Sequence, residues 1–233
     1  MNREPEPELM LEKEQVIAYD KGDFSVSEDD FVSFISDFLI EHNVDLREGD
    51  LVVDLGCGPG NITKKLALKW PHISLLGIDG SDEMILRAKQ NLIITGEENS
   101  LANINYLCAD IKNIQLSDIT FLGDIKLLVS NSLIHHIKNI NDFFACITKL
   151  STLKTINFHK DLKRPNNKNK ALALMTKCAS RYSEILTRDY YASLKASYTI
   201  SELEEIISAQ KLSSMEVVED GNEYLMLYGK VYN

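Results

Sequence analysis

The sequence predicts a doubly wound α/β protein, and three observations lead to this prediction. Short apolar runs without polar alternation recur from residue 51 onwards, and segments of helical length separate them. The chain has 233 residues, enough for one full α/β domain with appendages. Strands buried on both faces and linked by helices make parallel sheets through right-handed crossovers. We therefore expect a parallel sheet with helices on both faces.

Composition narrows the class of protein and of partner. Hydrophobic residues make up 44% and charged residues 26%, which excludes collagen-like and wholly disordered chains. The net charge of -10 disfavours a nucleic-acid partner. The four cysteines lie far apart without a C-x-x-C pair, so we expect reduced thiols, a cytoplasmic location and no metal site. No stretch reaches about 18 apolar residues, so no membrane span is expected.

Residues 1–45 are predicted to form an N-terminal helical arm, and residues 46–233 the main domain. The arm has a short helix over 8–19 and a second helix opened by a capping arrangement at Ser27. Residues 1–30 carry a net charge of -7, whereas residues 154–177 carry +6. These segments are either two solvated surfaces of opposite sign or the two sides of one cleft.

The elements of the main domain follow in order along the chain. Its strands are predicted at 51–55, 73–78, 104–107, 125–129 and 155–158, with helices at 61–70, 81–95 and 139–150. Residues 161–198 break this alternation and are interpreted as inserted helices that form a lid. A capping box at Thr199 then opens a helix through Gln210. Strands at 214–218 and 224–231, joined by an Asp-Gly-Asn turn, are predicted to close the chain as a hairpin.

A glycine turn carries the strongest chemical signal. It follows the first strand with glycines at 56, 58 and 60, and Asp54 precedes it by two residues. Glycines let the backbone approach a ligand without Cβ collisions, and amides at a helix start face that ligand. A dinucleotide fingerprint would place its third glycine or alanine at position 61, which is Asn61.

The string V-D-L-G-C-G-P-G at 53–60 resembles the first motif of the class I S-adenosylmethionine (SAM)-dependent methyltransferases. The resemblance implies a Rossmann-like, seven-stranded sheet that is mostly parallel with one antiparallel strand. It implies SAM as cofactor and S-adenosylhomocysteine (SAH) as product. It places the methionine part of SAM beside Gly56, Cys57, Gly58 and Gly60, with Asp54 organising the turn.

The next two strands end in residues suited to a nucleoside. Asp79 ends the second strand, where a carboxylate can accept both ribose hydroxyls of SAM or of NAD. The resemblance places Gly80, Ser81 and Met84 near the adenine, although Ser81 also fits an N-cap. After the third strand, it assigns Asp110 to the adenine amino group and Ile111 to a ring nitrogen.

The fourth strand runs into the segment that the resemblance places between cofactor and acceptor. Asn131 and Ser132 are the cofactor candidates there, and His135 and His136 face the acceptor or the following helix. Either histidine is a candidate catalytic base or a structural hydrogen-bonding group, and the two together could be metal ligands.

The arm and the inserted helices are expected to contact the acceptor. Arg164 and Arg188 are candidates for holding a carboxylate or phosphate of the acceptor. Aromatic rings are candidates for packing against a planar or apolar group. In the alternative interpretation the tyrosines only pack helices and the arginines pair with nearby acids. The aromatic candidates are Tyr19, Tyr182, Tyr190 and Tyr191.

Taken together, these features predict an enzyme that transfers the methyl group of SAM to a small-molecule acceptor. Two alternatives stay open: a catalytically silent SAM-binding partner protein, and an RNA or protein methyltransferase. The sequence leaves the acceptor atom and the oligomeric state undetermined.

Overall fold

A computed structural model of the chain describes residues 1–6, 10, 12–94, 101–119 and 122–232. Its centre is a seven-stranded sheet with the spatial order β3-β2-β1-β4-β5-β7-β6. The strands are β1 Asp50–Leu55, β2 Ser74–Asp79, β3 Ile104–Cys108, β4 Asp124–Asn131, β5 Ile156–Leu162, β6 Met215–Asp220 and β7 Tyr224–Gly229.

Pairing within the sheet confirms the predicted fold class. Strands β1 to β5 pair in parallel, whereas β7 runs antiparallel to both β5 and β6. The chain order reverses direction between β1 and β4, and in such sheets the crevice at this point is the usual ligand site. The fold is therefore Rossmann-like, mostly parallel, with one antiparallel strand.

Helices cover both faces of the sheet. The described part of the chain forms α1 Lys13–Asp20, α2 Ser25–Glu41, α3 Asn61–Lys69, α4 Asp82–Ile94, α5 Ile140–Leu150, α6 Lys168–Ala179, α7 Glu184–Ala196 and α8 Ile200–Ala209. One hydrophobic core joins the sheet to α5 and α8, and the other joins it to α2 and α3. Among the residues described, no helix has both the length and the apolar character needed to cross a bilayer.

The N-terminal residues lie along α7. The Arg3 guanidinium donates to the carbonyl of Ala196 (Nε···O 2.6 Å) and to that of Ile137 (Nη2···O 3.0 Å). The backbone N–H of Glu4 donates to the carbonyl of Lys195 at 3.0 Å. These bonds bring the arm to the carboxyl-terminal edge of the sheet, where the glycine turn lies.

Several element boundaries differ from those predicted, most of them by one or two residues. Helix α2 starts at Ser25, not Ser27, because Asp23 binds both the N–H and the hydroxyl of Ser25 and so forms the turn earlier. Strand β5 continues to Leu162, four residues beyond its predicted end, and all seven of its residues are buried. Helix α1 begins at Lys13; residues 8, 9 and 11 of the helix predicted at 8–19, and residue 95 of the helix predicted at 81–95, lie outside the described residues.

The C-terminal elements form as the sequence predicts. The capping box is present, since the Thr199 hydroxyl accepts from the N–H of Glu202 and the Glu202 carboxylate accepts from the N–H of Thr199. The final hairpin supplies β6 and β7. Two helices, α6 and α7, occupy the predicted insert, although Asp161 and Leu162 belong to β5 and not to the lid.

Candidate active site

The glycine turn after β1 is held against the end of β2. The N–H groups of Gly56 and Cys57 both donate to the carbonyl of Ile78, at 2.7 and 3.0 Å. Gly58 has a φ of +52°, and a Cβ built there would meet only a Tyr19 ring atom, at 3.9 Å. The backbone of Gly58 thus faces open space in a cavity, as a cofactor cradle requires.

The other two glycines serve packing within the protein. A Cβ on Gly56 would come within 2.7 Å of the Leu133 side chain, and one on Gly60 within 2.3 Å of the Tyr106 hydroxyl. Gly60 does not line the cavity in the part of the chain that the structure describes, whereas Gly56, Cys57 and Gly58 do. Gly60 therefore gives the turn its shape and allows close packing on β3, and its predicted contact with the cofactor is not supported by its position.

Asp79 links the end of β2 to this turn. One carboxylate oxygen accepts from the N–H of Gly58 (Oδ2···N 2.9 Å) and the other from the N–H of Ser81 (Oδ1···N 2.8 Å). Burial raises the pKa of Asp79, and these two hydrogen bonds oppose that rise. A carboxylate has about four acceptor positions, so Asp79 keeps acceptor capacity for two hydroxyls in the cavity that it lines.

Asp54 lies below the turn and is only 1% exposed. Its Oδ2 accepts a hydrogen bond from the Thr63 hydroxyl at 2.6 Å. Burial raises the pKa of Asp54 to about 7, and the nearby Asp79 and Glu28 carboxylates add to the rise. Asp54 thus fixes the start of α3 beneath the cavity, consistent with the organising role that the family resemblance implies.

The predicted adenine residues separate into two groups. Gly80, Met84, Asp110 and Ile111 line the cavity beyond Asp79. Ser81 does not line it in the described chain; its hydroxyl is buried and donates to the carbonyl of Met10 at 2.9 Å. Ser81 instead joins the arm to the start of α4. Its Oγ accepts from the N–H of Met84 at 3.4 Å, which is the N-cap role that the sequence left open.

Asn131 and Ser132 bring the end of β4 to the same cavity. The Asn131 Oδ1 atom is buried and has no hydrogen-bond partner among the described residues. Ser132 has a φ of +61°, and its N–H donates to the carbonyl of Lys160 at 2.8 Å, which turns the chain away from the strand. An unpaired buried acceptor is costly unless a ligand supplies the donor.

These residues fit SAM. Its ribose hydroxyls match the Asp79 carboxylate, its ammonium group matches the free Asn131 oxygen, and the bare backbone at Gly58 leaves room for its chain. Asp110 and Ile111 line the same cavity, and a carboxylate and a backbone N–H are the acceptor and the donor that an adenine needs.

His135 and His136 form a short 3₁₀ turn after β4 and line the cavity. The Nδ1 atom of His135 lies 2.5 Å from Oδ1 of Asp161, and Asp161 also accepts from the N–H groups of Ile134 (2.6 Å) and Leu162 (2.7 Å). Burial acts to lower the pKa of His135, but the carboxylates of Asp161 and Glu6 outweigh it and raise that pKa. The Asp161 contact fixes the ring and leaves Nε2 as its second nitrogen.

An aromatic wall closes the far end of the cavity. The rings of Tyr19 and Phe24 lie 5.0 Å apart, and Phe24 stacks on Tyr182 at 5.4 Å. We define the aromatic wall by the cavity-lining rings, which are Tyr19, Phe24, Tyr182, Tyr190 and Tyr224. Helix α1 supplies Tyr19, α7 supplies Tyr190, and Tyr182 lies in the connection between α6 and α7. The Tyr182 hydroxyl donates to the carbonyl of Asp23 at 2.7 Å, so the predicted arm and insert do meet over the cavity.

Three predicted acceptor residues are absent from the cavity lining in the described chain: Arg164, Arg188 and Tyr191. Arg164 is 6% exposed, and its guanidinium binds the Glu202 carboxylate and the Ser197 carbonyl. Arg188 is exposed and pairs with Asp189, and Tyr191 lies 5.4 Å from the Lys195 ammonium. Each of these side chains is held by a partner on or next to α7 or α8, and the structure supports the alternative in which the arginines pair with nearby acids.

Three cations that the sequence analysis did not assign to the site line the cavity: Lys112, Lys177 and Arg181. Lys177 pairs with Glu223 at 2.7 Å, and Arg181 lies 5.7 Å above the Tyr182 ring. Lys177 lies in the last turn of α6 and Arg181 two residues beyond the end of that helix, both within the predicted insert. The net charge of +6 over residues 154–177 was the available signal for Lys177.

Comparisons with known proteins agree with this geometry. Residues 46–226 match the methyltransferase domain family. A trans-aconitate 2-methyltransferase of Mycolicibacterium gilvum is 33% identical over 92 residues, which are 40% of this chain and 30% of that protein. The 23S rRNA (uracil(1939)-C(5))-methyltransferase RlmD of Shewanella frigidimarina is 38% identical over 86 residues, 37% of this chain and 17% of that protein. The matches thus span less than a third of either relative.

Solved structures share the fold across almost the whole chain. The plantazolicin methyltransferase BpumL, in complex with a pentazolic desmethyl analogue and SAH, has a TM-score of 0.68 at 17% identity, covering 94% of this chain and 90% of that chain. A SAM-dependent methyltransferase from Aquifex aeolicus has a TM-score of 0.64 at 16% identity, covering 94% and 98%.

The fold and the cavity are those expected of a class I SAM-dependent methyltransferase. The chain belongs to the methyltransferase domain family, and the residues of its cavity fit SAM as the cofactor.

Proposed function

We propose that this enzyme transfers the methyl group of SAM to a small-molecule acceptor bound against the aromatic wall. The observation that carries the proposal is one continuous cavity of about 290 Å³, which runs from Asp79 and Gly58 to that wall. Its volume is near the lower end of small-ligand pockets, about 300–1,000 Å³. Residues of α1, α6 and α7 cover its acceptor end. Such a covered site suits a small molecule better than a polymer.

The chain has little chemistry to supply beyond binding and alignment. Bound SAM brings an activated sulfonium methyl group, so catalysis consists mainly of aligning the acceptor in line with it. Asp79 and Asn131 hold the two ends of the cofactor, and the aromatic wall orients the acceptor and excludes water. A base is needed only where the acceptor must lose a proton, and His135, fixed by Asp161, is the candidate.

The lining of the acceptor end indicates the kind of molecule that fits. Aromatic rings and the apolar side chains of Leu162, Leu174 and Leu186 dominate it. Arg181 is the cation available for an anionic group, in the role first assigned to Arg164 and Arg188. We therefore infer a planar or apolar acceptor, and propose Tyr19 and Tyr190 among its contacts. The similarity to trans-aconitate methyltransferases supports a small acceptor of this size class.

The test uses SAM labelled on its methyl group. The purified enzyme is incubated with an extract of its source cell that has been divided by ultrafiltration into low-molecular-weight and macromolecular fractions. We expect label in a product of the low-molecular-weight fraction and none with the Asp79→Asn variant. Label only in protein or RNA would contradict the proposal, and SAM binding without turnover in either fraction would favour a catalytically silent protein.

A further inference from the structure

We propose that Glu6, His135 and His136 form a binding site for a first-row divalent transition ion of the Zn²⁺ type. The three side chains come from the N-terminal arm and from the turn after β4. One ligand atom from each lies within 4.8 Å of the other two. The site is separate from the residues that hold SAM, and the proposal does not depend on the acceptor.

The distances favour a shared ion over direct hydrogen bonds. Oε1 of Glu6 lies 3.6 Å from Nε2 of His135 and 3.3 Å from Nδ1 of His136. Nitrogen-to-oxygen hydrogen bonds are usually 2.7–3.2 Å long. Ligands on a tetrahedral Zn²⁺ with bonds of about 2.1 Å lie about 3.4 Å apart, which agrees with both separations.

The His135 ring is oriented as a ligand ring would be. Its Nδ1 faces the Asp161 carboxylate at 2.5 Å, which leaves Nε2 directed towards Glu6. Histidines that bind metals usually donate their other N–H to a carboxylate, which fixes the tautomer and raises ligand basicity. Asp161 is itself held by the backbone N–H groups of Ile134 and Leu162. The outer layer of a metal site is therefore already built.

Glu6 is also held in place. Its Oε1 accepts from the Ser193 hydroxyl at 3.0 Å, and Arg3 ties the same arm to the carbonyls of Ala196 and Ile137. The arm thus presents a carboxylate to two imidazoles at the edge of the cavity, which both histidines line.

The donor set selects the class of ion. Two imidazole nitrogens and one carboxylate oxygen suit Zn²⁺, Co²⁺, Ni²⁺ or Fe²⁺, whereas Mg²⁺ and Ca²⁺ prefer oxygen ligands. Three protein ligands also leave a coordination position for water or for another oxygen ligand, as in catalytic zinc sites. An ion here would tie the arm to the turn that borders the acceptor, and it would occupy the Nε2 of His135, so that His135 could serve as the base only in the metal-free enzyme.

The test measures metal binding by the full-length protein without SAM or acceptor. Protein stripped with a chelator is titrated with Zn²⁺ by calorimetry and with Co²⁺ by visible absorption. We expect one ion per chain and a Co²⁺ spectrum of nitrogen and oxygen ligands without a thiolate charge-transfer band. Glu6→Gln and His136→Gln should each weaken binding by about 100-fold or more, and Asp161→Asn by about 10–100-fold.

Matched variants control for adventitious binding. Glu4 lies on the same arm but pairs with Lys195, and His42 and His72 contact backbone carbonyls elsewhere. Glu4→Gln and the double variant His42→Gln/His72→Gln should bind as the wild type does. Circular dichroism of each variant verifies the fold. No binding at micromolar Zn²⁺, or binding that Glu6→Gln and His136→Gln leave unchanged, would overturn the proposal.

Discussion

The carboxylate of Asp79 accepts a hydrogen bond from the backbone N–H of Gly58 at 2.9 Å. This bond joins the end of β2 to the glycine turn after β1, the two features that the cofactor must contact together. Asp79 therefore has two functions: it holds the turn in position, and its remaining acceptor positions face the cavity.

Replacing Asp79 should weaken SAM binding more than it weakens the fold. In Asp79→Asn the side chain keeps its shape but loses its charge, so the charge-assisted hydrogen bonds to the sugar are lost. We expect an affinity loss of about 1.5–3 kcal/mol, or about 10–150-fold, measured by equilibrium dialysis of labelled SAM. Asp142→Asn on the exposed face of α5 is the control. Unchanged affinity in Asp79→Asn would show that the sugar lies elsewhere.

Gly58 and Gly60 of the turn should respond differently to alanine. In Gly58→Ala the new methyl group enters open cavity space, so SAM affinity should fall. The free energy of unfolding should fall by only about 1–2 kcal/mol, the cost of holding alanine at a left-handed φ. In Gly60→Ala the methyl group meets the Tyr106 hydroxyl, and the free energy of unfolding should fall further. Urea unfolding and SAM dialysis of both variants separate the two effects.

A second substitution tests the cause of the Gly60 effect. Tyr106→Phe removes the hydroxyl that a Cβ at residue 60 would meet at 2.3 Å. The double variant Gly60→Ala/Tyr106→Phe should therefore be more stable than the sum of the two single changes predicts. Strict additivity would mean that the turn backbone, and not Tyr106, limits residue 60.

The buried Asp54 should make stability fall as pH rises. Burial raises its pKa in the folded state to about 7 from 3.8, so the folded state binds more protons than the unfolded state between these values. This favours the folded state at low pH, and the benefit is lost as pH rises through about 7. Between pH 5 and pH 8 the loss should be about 2–3 kcal/mol.

Asp54→Asn tests this dependence, because its amide oxygen can still accept from the Thr63 hydroxyl. Without SAM, the wild type should lose about 2–3 kcal/mol of unfolding free energy from pH 5 to pH 8, and Asp54→Asn should not show this loss. Asp45→Asn, at an exposed aspartate, should show no such change. Parallel pH profiles for wild type and Asp54→Asn would contradict the assignment.

Arg164, which the sequence analysis assigned to the acceptor, and Arg181, which it missed, should behave differently. Arg164 is buried against Glu202 and Ser197, so Arg164→Met should lower the free energy of unfolding by about 2–3 kcal/mol and leave SAM affinity unchanged. Arg181 is exposed and lines the cavity, so Arg181→Met should change stability by less than about 0.5 kcal/mol. It should lower turnover instead. The opposite pattern in urea unfolding and labelled methyl transfer would contradict these roles.

Local patterns predicted much of the fold and of the cofactor site. The apolar runs defined the parallel strands, and the turn at 56–60 with Asp79 defined the nucleoside end, because each signal lies within a few residues. The end of β5 was missed because its last residues, from His159 to Leu162, are polar in part yet fully buried. Such burial depends on partners elsewhere in the chain.

The acceptor end was harder to predict for the same reason. Arg164 faces Glu202, and Glu6 faces His135, through contacts between segments far apart in the sequence. No periodicity or spacing reports such pairs, since only the packing of α7 and the arm brings them together. Arg181 was missed because a single cation in the connection between two helices is usually solvated.

The most direct test of the central claim is a crystal structure of the chain with SAH. The account predicts both ribose hydroxyls within about 2.7–2.8 Å of the Asp79 carboxylate, the homocysteine part beside Gly58, and its ammonium group on Oδ1 of Asn131. SAH bound outside this cavity, or bound with its ribose turned away from Asp79, would contradict it.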